Sequence, residues 1–304
     1  LTDLNFFVGK VVERIYVTMY LAKYLISQKH KRTIYVPFSE LPHLTVAAVI
    51  GKLFTRHRLV FCNLNPNTYF FDRIINQIAH RYSDLNITIS NSLKVQLAKF
   101  GIKCNIVNPV GIDINSYKKF GERSKQQTGI FVGRHVEEKG IYTALKVCAE
   151  INKSRHFILN CAGDIPADQR QKIESLVKKL NIEDKVNLLG INNEKTKIKF
   201  LSEASVCLFP SVQEGWGIVP QESILCNTPV VAFDLPVYKE NIASCPAVIL
   251  VPEFDLNKFT DAVLRWLSMN QSQITKLLSE SKKIIKNFDW GIIAKREWEL
   301  ICQQ

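Results

Sequence analysis

From Thr33 to the C-terminus, short apolar runs rich in Val, Ile and Phe alternate with longer segments of helical periodicity. That alternation constrains the fold more than any other feature. Strands joined through helices run parallel, because a parallel pair needs a crossover of about a dozen residues. A parallel sheet is covered by helices on both faces, so its strands read as unbroken apolar runs. Strands are predicted at Thr33–Pro37, Arg58–Asn63, Leu85–Ser90 and Asn105–Val107, with helices over Phe6–Gln28, His43–Phe54, Thr68–Tyr82 and Ser92–Phe100. The polar, charged stretch from Asp113 to Gln127 reads as a linker. Beyond it, strands are predicted at Gly129–Val132, His156–Cys161, Val186–Leu189, Val206–Phe209, Val230–Phe233 and Ala247–Val251. Helices follow over Gly140–Ile151, Ala167–Leu180, Glu194–Glu203, Val219–Cys226 and Pro236–Ile242, and the chain closes with Leu256–Met269, Gln271–Asn287 and Trp290–Cys302. The 304 residues suffice for two α/β domains with separate cores, at 1–115 and 116–287, followed by a terminal helix over 288–304.

The longest apolar candidate for a membrane span, Ile15 to Ile26, is interrupted by Lys23 and is too short to cross a bilayer. No secretory leader is legible, and a start at Leu1 points to a processed, trimmed or partial chain. The eight cysteines form no CxxC pair, and several fall inside apolar patterns, as reduced core residues of a cytosolic protein would. The six histidines show no metal-ligand spacing. Of the net charge of +12, residues 1–115 supply +8, with 14 Lys/Arg against 6 Asp/Glu. Such a basic face attracts anionic headgroups, nucleic acid or phosphorylated substrates, or serves only solubility. No interleaving of aromatic and basic residues supports nucleic acid.

Two stretches carry chemistry. Phe209-Pro210-Ser211-Val212-Gln213-Glu214-Gly215-Trp216-Gly217-Ile218-Val219-Pro220-Gln221-Glu222 runs from a strand end into a helix that starts close to Pro220. It sets Glu214 and Glu222 at one crevice at the carboxyl end of the sheet, where open α/β sheets bind ligands. Upstream, the strand ending at Val132 enters Gly133-Arg134-His135-Val136-Glu137-Glu138-Lys139-Gly140 and then a helix. Backbone amides and a helix start suit a phosphate, and Arg134 and Lys139 are unfavourable there unless an anion is present. Glu137 and Glu138 are explained as favourable first-turn charges. Two cations for phosphate and two carboxylates for hydroxyls point to a nucleotide-sugar.

Four places in order resemble glycosyltransferase family 4, retaining enzymes of the GT-B fold. They are Asn108-Pro109-Val110-Gly111-Ile112-Asp113, the Gly133–Gly140 loop, Ala162-Gly163-Asp164, and the Glu-x7-Glu pair Glu214 and Glu222. The resemblance covers the chain from about Thr33 onward. It implies two Rossmann-like domains with parallel sheets and a C-terminal helix crossing back to the first. It makes Arg134 and Lys139 the diphosphate clamp, with Gly133 beside it, and Glu214 a ligand for sugar hydroxyls. Glu222 would bind ribose, Gly215 and Gly217 would offer close backbone approach, and Trp216, usually Phe in the family, serves core packing more than stacking. Asp164 ends a strand at the same edge, where loop capping is an equal account, and Ile191 with Asn192 would hold the base through backbone groups. The implied activity is metal-independent transfer from a UDP- or GDP-sugar to a glycan, glycolipid or lipid-linked acceptor, with no other cofactor, in the cytoplasm or peripherally at a membrane. Alternatives are a nucleotide-sugar-binding protein without transferase activity and a GT-B epimerase.

Two departures matter. The family's opening strand and Gly-rich loop are missing before Ile34, which reads as a missing or shortened N-terminal portion. Asn63 stands where the family often has a histidine, and His57 and the Lys195, Lys197, Lys199 series read as surface residues.

Overall fold

The structure, a computed structural model, describes residues 2–28, 32–37, 41–65, 70–118, 127–190 and 193–302. The chain divides into two compact units, Leu1–Val110 with Ile293–Gln304, and Gly111–Ile292. The divisions expected from the sequence fall at 115/116 and 287/288.

The first unit contains α1 (Thr2–Ser27), β1 (Thr33–Val36), α2 (Pro42–Phe54), β2 (Arg58–Asn63), α3 (Phe70–His80), β3 (Leu85–Thr88), α4 (Asn91–Lys99) and β4 (Ile106–Val107). Its four strands form a parallel sheet in the order β1-β2-β3-β4. Alternate side chains of β2 enter opposite layers: Leu59 and Phe61 pack with Ile34, Val36, Ala48 and Ala79, whereas Val60 and Cys62 pack with Leu85 and Ile87. That is the two-faced burial a parallel strand requires. His57 is not a surface residue: it is buried, its Nδ1 accepts from the Arg32 amide at 3.1 Å, and its Nε2 faces the Leu25 carbonyl at 3.2 Å. Asn63 is equally enclosed. Its Nδ2 donates to the Ile87 carbonyl at 3.0 Å, and its Oδ1 lies 3.1 Å from Nε2 of buried His80.

The second unit runs through α5 (Ile114–Lys118), β5 (Thr128–Val132), α6 (Ile141–Asn152), β6 (Ile158–Ala162), α7 (Ala167–Lys179), β7 (Val186–Leu189), α8 (Glu194–Glu203), β8 (Val206–Phe209), α9 (Ile218–Leu225), β9 (Val230–Phe233), α10 (Tyr238–Asn241), β10 (Val248–Val251), α11 (Leu256–Ser268) and α12 (Gln271–Ile285). Its six strands are parallel, in the order β10-β9-β8-β5-β6-β7. The central strands β5, β8 and β9 are buried throughout, and the edge strands β7 and β10 are not. From β5 the chain builds outward through β6 to β7 and then returns to lay β8 on the other side of β5. The β5–β8 pair is therefore the point where strand order reverses, the place such sheets bind ligands.

The closing helix α13 (Trp290–Cys302) begins in the second unit and continues in the first. At its start the second unit holds the chain by a bridge between Ile112 and Asp289, with Ile112 N donating to Phe288 O and Trp290 N to Ile112 O. Within the first unit, Glu297 accepts from Tyr35 Oη and from Asn108 Nδ2, and the Arg58 guanidinium donates to the Leu300 and Ile301 carbonyls. No described helix is long and apolar enough to cross a membrane. Seven of the eight cysteines are buried and Cys302 is exposed.

Candidate functional site

Three loops of the second unit meet beyond the carboxyl ends of β5, β6 and β8. The Gly133 amide donates to the Ala162 carbonyl at 3.0 Å, and the His135 amide donates to the Asp164 carbonyl at 2.8 Å. On the other side, the Val212 amide and the Ser211 hydroxyl each donate to the Glu138 carbonyl at 3.0 Å. The loops approach closely where only glycine fits. A Cβ on Gly163, at φ +150°, would lie 2.0 Å from the Gly133 oxygen, and one on Gly140, at φ +79°, would lie 1.9 Å from the Pro210 oxygen.

This stitching brings Lys139 and Glu214 together. Lys139 lies in the short 3₁₀ turn Glu137–Lys139 ahead of α6, and its Nζ is 2.6 Å from Glu214 Oε1 and 3.4 Å from the Gln213 oxygen. Arg134, from the same loop, is exposed; its carbonyl accepts from the Val136 amide at 2.9 Å, and its guanidinium has no hydrogen-bond or ion-pair partner among the described residues. Gly133 is half-buried at the end of β5, and the exposed Asp164 closes the β6 loop by accepting at its carbonyl from the amide and Nδ1 of His135. Burial lowers the pKa of that histidine, so its ring is held neutral. Gly140 precedes α6 and Gly217 precedes α9 at the cap position, and neither helix has a side-chain cap. By contrast α8, α11 and α12 are capped by Asn193, Asp255 and Asn270. The first-turn amides of α6 and α9 thus lack the side-chain acceptor that α8, α11 and α12 have.

The turn from Glu214 to α9 is built on a packed base. The Trp216 ring is buried edge-on to Phe288 at 5.4 Å, and its carbonyl accepts from Asn241 Nδ2 at 2.5 Å. Gly217, at φ +76°, lies over the Tyr238 ring, 2.7 Å from where a Cβ would fall, and half-buried Gly215 separates the two anchors. Helix α9 opens at Ile218, two residues before Pro220, and Glu222 is therefore its fifth residue.

Glu222 is 4% exposed and does not stand alone. Its Oε1 lies 2.7 Å from Lys197 Nζ on α8 and 2.8 Å from Tyr117 Oη on α5, whereas its Oε2 is buried with no partner. Glu194 shares both partners, at 2.9 Å from Lys197 and 3.1 Å from Tyr117. Burial opposes the Lys197 ammonium, but the two carboxylates outweigh it and raise its pKa. The Tyr117 phenol is pushed up by burial and then by the Glu222 charge, so it remains a donor. Sequence reasoning missed Tyr117 and Lys197. Tyr117 was a lone aromatic in a stretch read as linker, and Lys197 was indistinguishable from Lys195 and Lys199 on a helix read as solvated. Ile191 and Asn192, assigned to the base, lie outside the described residues.

The family model described as "Glycosyl transferases group 1" matches residues 113–287, more than half of the chain. An uncharacterized glycosyltransferase of Methanocaldococcus jannaschii is 32% identical over 161 residues, which are 48% of this chain and 41% of that protein. The O-antigen chain mannosyltransferase RfbU of Salmonella typhimurium is 24% identical over 206 residues, 67% of this chain and 55% of that protein. The chain thus spans about half the length of these curated relatives. Among solved structures, Anabaena HepE in complex with UDP and glucose superposes with a TM-score of 0.79 at 17% identity, over 94% of this chain and 81% of that one. An Escherichia coli trehalose-6-phosphate protein bound with UDP-2-fluoro glucose gives 0.80 at 14% identity, over 96% and 78%. At these identities the likeness is one of fold.

Proposed function

Because this chain belongs to the glycosyl transferases group 1 family and has the GT-B fold, we propose that it transfers a sugar from a UDP- or GDP-sugar to a glycan, glycolipid or lipid-linked acceptor. The observation that carries this reading is the Lys139–Glu214 pair at the β5–β8 reversal, with the unpartnered Glu222 oxygen eight residues further on. Arg134 and Lys139 hold the diphosphate, and the amides around Gly133 and at the α6 start complete its cradle. Glu214 takes the hydroxyls of the donor sugar, Glu222 takes ribose, and Gly215 and Gly217 admit the donor to the backbone between them. Asp164 borders the diphosphate loop, and Trp216 fixes the turn from below.

The chemistry proposed is that of a retaining transferase of glycosyltransferase family 4. As the anomeric bond breaks, negative charge grows on the leaving diphosphate, and Arg134 and Lys139 stabilise it in a partly dehydrated site. The acceptor attacks from the face the diphosphate leaves, the leaving phosphate oxygen takes its proton, and no divalent ion is needed. The two carboxylates bind substrate and do not act as the acid and base of a glycosidase. Incubation with UDP- and GDP-sugars in the presence of EDTA, with the product's anomeric configuration read by NMR, tests all of this. Inversion, or a requirement for metal, would overturn the mechanism. Tight nucleotide binding without transfer or donor hydrolysis would leave a binding protein.

A further inference from the structure

Glu222 is oriented by its neighbours. A carboxylate oxygen has two lone pairs, and those of Oε1 are both used, by the Lys197 ammonium at 2.7 Å and the Tyr117 hydroxyl at 2.8 Å. The rotation that would bring Oε1 to a ligand would break a charge-assisted bond inside the protein. Oε2 is therefore the oxygen left to the ligand, and it is buried without a donor. The surroundings cannot supply one. Tyr117 has one proton and two carboxylates within reach, Glu222 at 2.8 Å and Glu194 at 3.1 Å. Lys197 alone balances both carboxylates, so the cluster carries one negative charge and too few donors. A ligand satisfies it by bringing hydroxyl protons, and a pair on adjacent carbons satisfies more of it than one.

We propose that Tyr117 and Lys197 are positioning residues that hold Glu222 with Oε2 turned to the donor's ribose, and that they thereby make the site select ribonucleotides over 2′-deoxyribonucleotides. This rests on the ribose role proposed above for Glu222 and adds what enforces it. Lys197 supplies the opposite charge beside the buried carboxylate, and Tyr117 fixes its rotation. Tyr117 also comes from α5, at the start of the second unit, which makes the ribose end of the site depend on α5 being docked.

The experiment is a calorimetric titration of UDP, GDP and their 2′-deoxy counterparts into the wild type, Tyr117→Phe, Lys197→Met and Lys197→Arg, with inorganic pyrophosphate as the control ligand. The wild type should prefer the ribonucleotide about tenfold or more, the loss expected for one hydrogen bond to a charged group. The preference should shrink to a few-fold in Tyr117→Phe, vanish in Lys197→Met and return in part in Lys197→Arg, while pyrophosphate affinity stays constant. No preference in the wild type would remove the ribose role of Glu222, and this inference with it. A wild-type preference kept intact in both Tyr117→Phe and Lys197→Met would leave that role standing and overturn the positioning proposal alone. Equal losses of pyrophosphate and nucleotide affinity would mark the variants as general damage and overturn it too. Tyr117→Phe removes one hydroxyl and keeps the ring, so it decides the matter even where Lys197→Met does not fold.

Discussion

Lys139 and Glu214 neutralise one another in the free protein, at 2.6 Å and with Glu214 the more buried of the two. A diphosphate that claims Lys139 competes with Glu214 for its charge. Arg134→Ala and Lys139→Ala should each weaken UDP or GDP binding by about 1.5–3 kcal/mol, the loss of one charge-assisted contact. Glu214→Gln should do the opposite: freed from its carboxylate, Lys139 meets the diphosphate unopposed, and nucleotide affinity should rise by up to about tenfold while transfer falls. Glu222→Gln should lower nucleotide affinity. Calorimetry of the four variants checks all of these, and equal losses of UDP affinity in the two glutamine variants would contradict the division of labour. Much of this residue set was legible in the sequence, because Lys139 is a cation where a helix start disfavours one, and the glutamates bracket a Gly-Trp-Gly turn. Lys197 was not legible. A half-buried lysine differs from a solvated one only by its partners: Glu194, three residues before it on α8, is the pair a solvated helix face would also show, and Glu222 on α9, which sets it apart, is remote in sequence.

The strands and helices were legible nearly throughout, since burial on both faces writes parallel strands as apolar runs. The misses are short or interrupted elements. Helix α5 has five residues, too few to show a period. Helix α9 is shifted by only one residue, opening at Ile218 instead of Val219, because Gly217, with its positive φ, has already turned the chain. Two expected outcomes belong to elements. Gly140→Ala sets a Cβ 1.9 Å from the Pro210 oxygen in a left-handed conformation, and it should cost the second unit at least about 2 kcal/mol and disorder the Lys139 loop, read by thermal unfolding and UDP titration. His80, at the end of α3, is buried against Phe61 with its ring centroid 5.0 Å away, and burial lowers its pKa from 6.5 to about 4. The folded state therefore binds the proton later than the unfolded one. Stability is complete above pH 6.5 and falls by about 1.4 kcal/mol per pH unit as acid takes the first unit toward pH 4. Chemical unfolding midpoints across that range should fall less steeply in His80→Gln. An unchanged slope would show that other groups carry the dependence.

At the scale of the molecule, charge and connectivity matter most. Residues 1–115 hold a net +8, and α1 exposes Val12, Tyr16, Tyr20 and Tyr24 at four-residue spacing. Weak, reversible adsorption to anionic vesicles should follow, and it should fade with salt as the Debye length shortens to about 8 Å at 0.15 M. Co-sedimentation with neutral and anionic vesicles reads it; negligible pelleting with both at low salt would favour a soluble acceptor. The two-unit plan was legible because the strand–helix alternation runs twice. The exact divisions were not, since they depend on Ile112 pairing with Asp289, 177 positions further along the chain. The first unit is also discontinuous, and this bears on how the protein is made. Its closing piece, from Ile293 onward, is translated only after every residue of Gly111–Ile292. A nascent chain can therefore complete its second unit while Tyr35 and Arg58 in the first still await Glu297 and the Leu300 and Ile301 carbonyls. What leaves the ribosome first is finished last, and until then the layer of Val60, Cys62, Leu85 and Ile87 lacks Leu300 and is what a chaperone would meet.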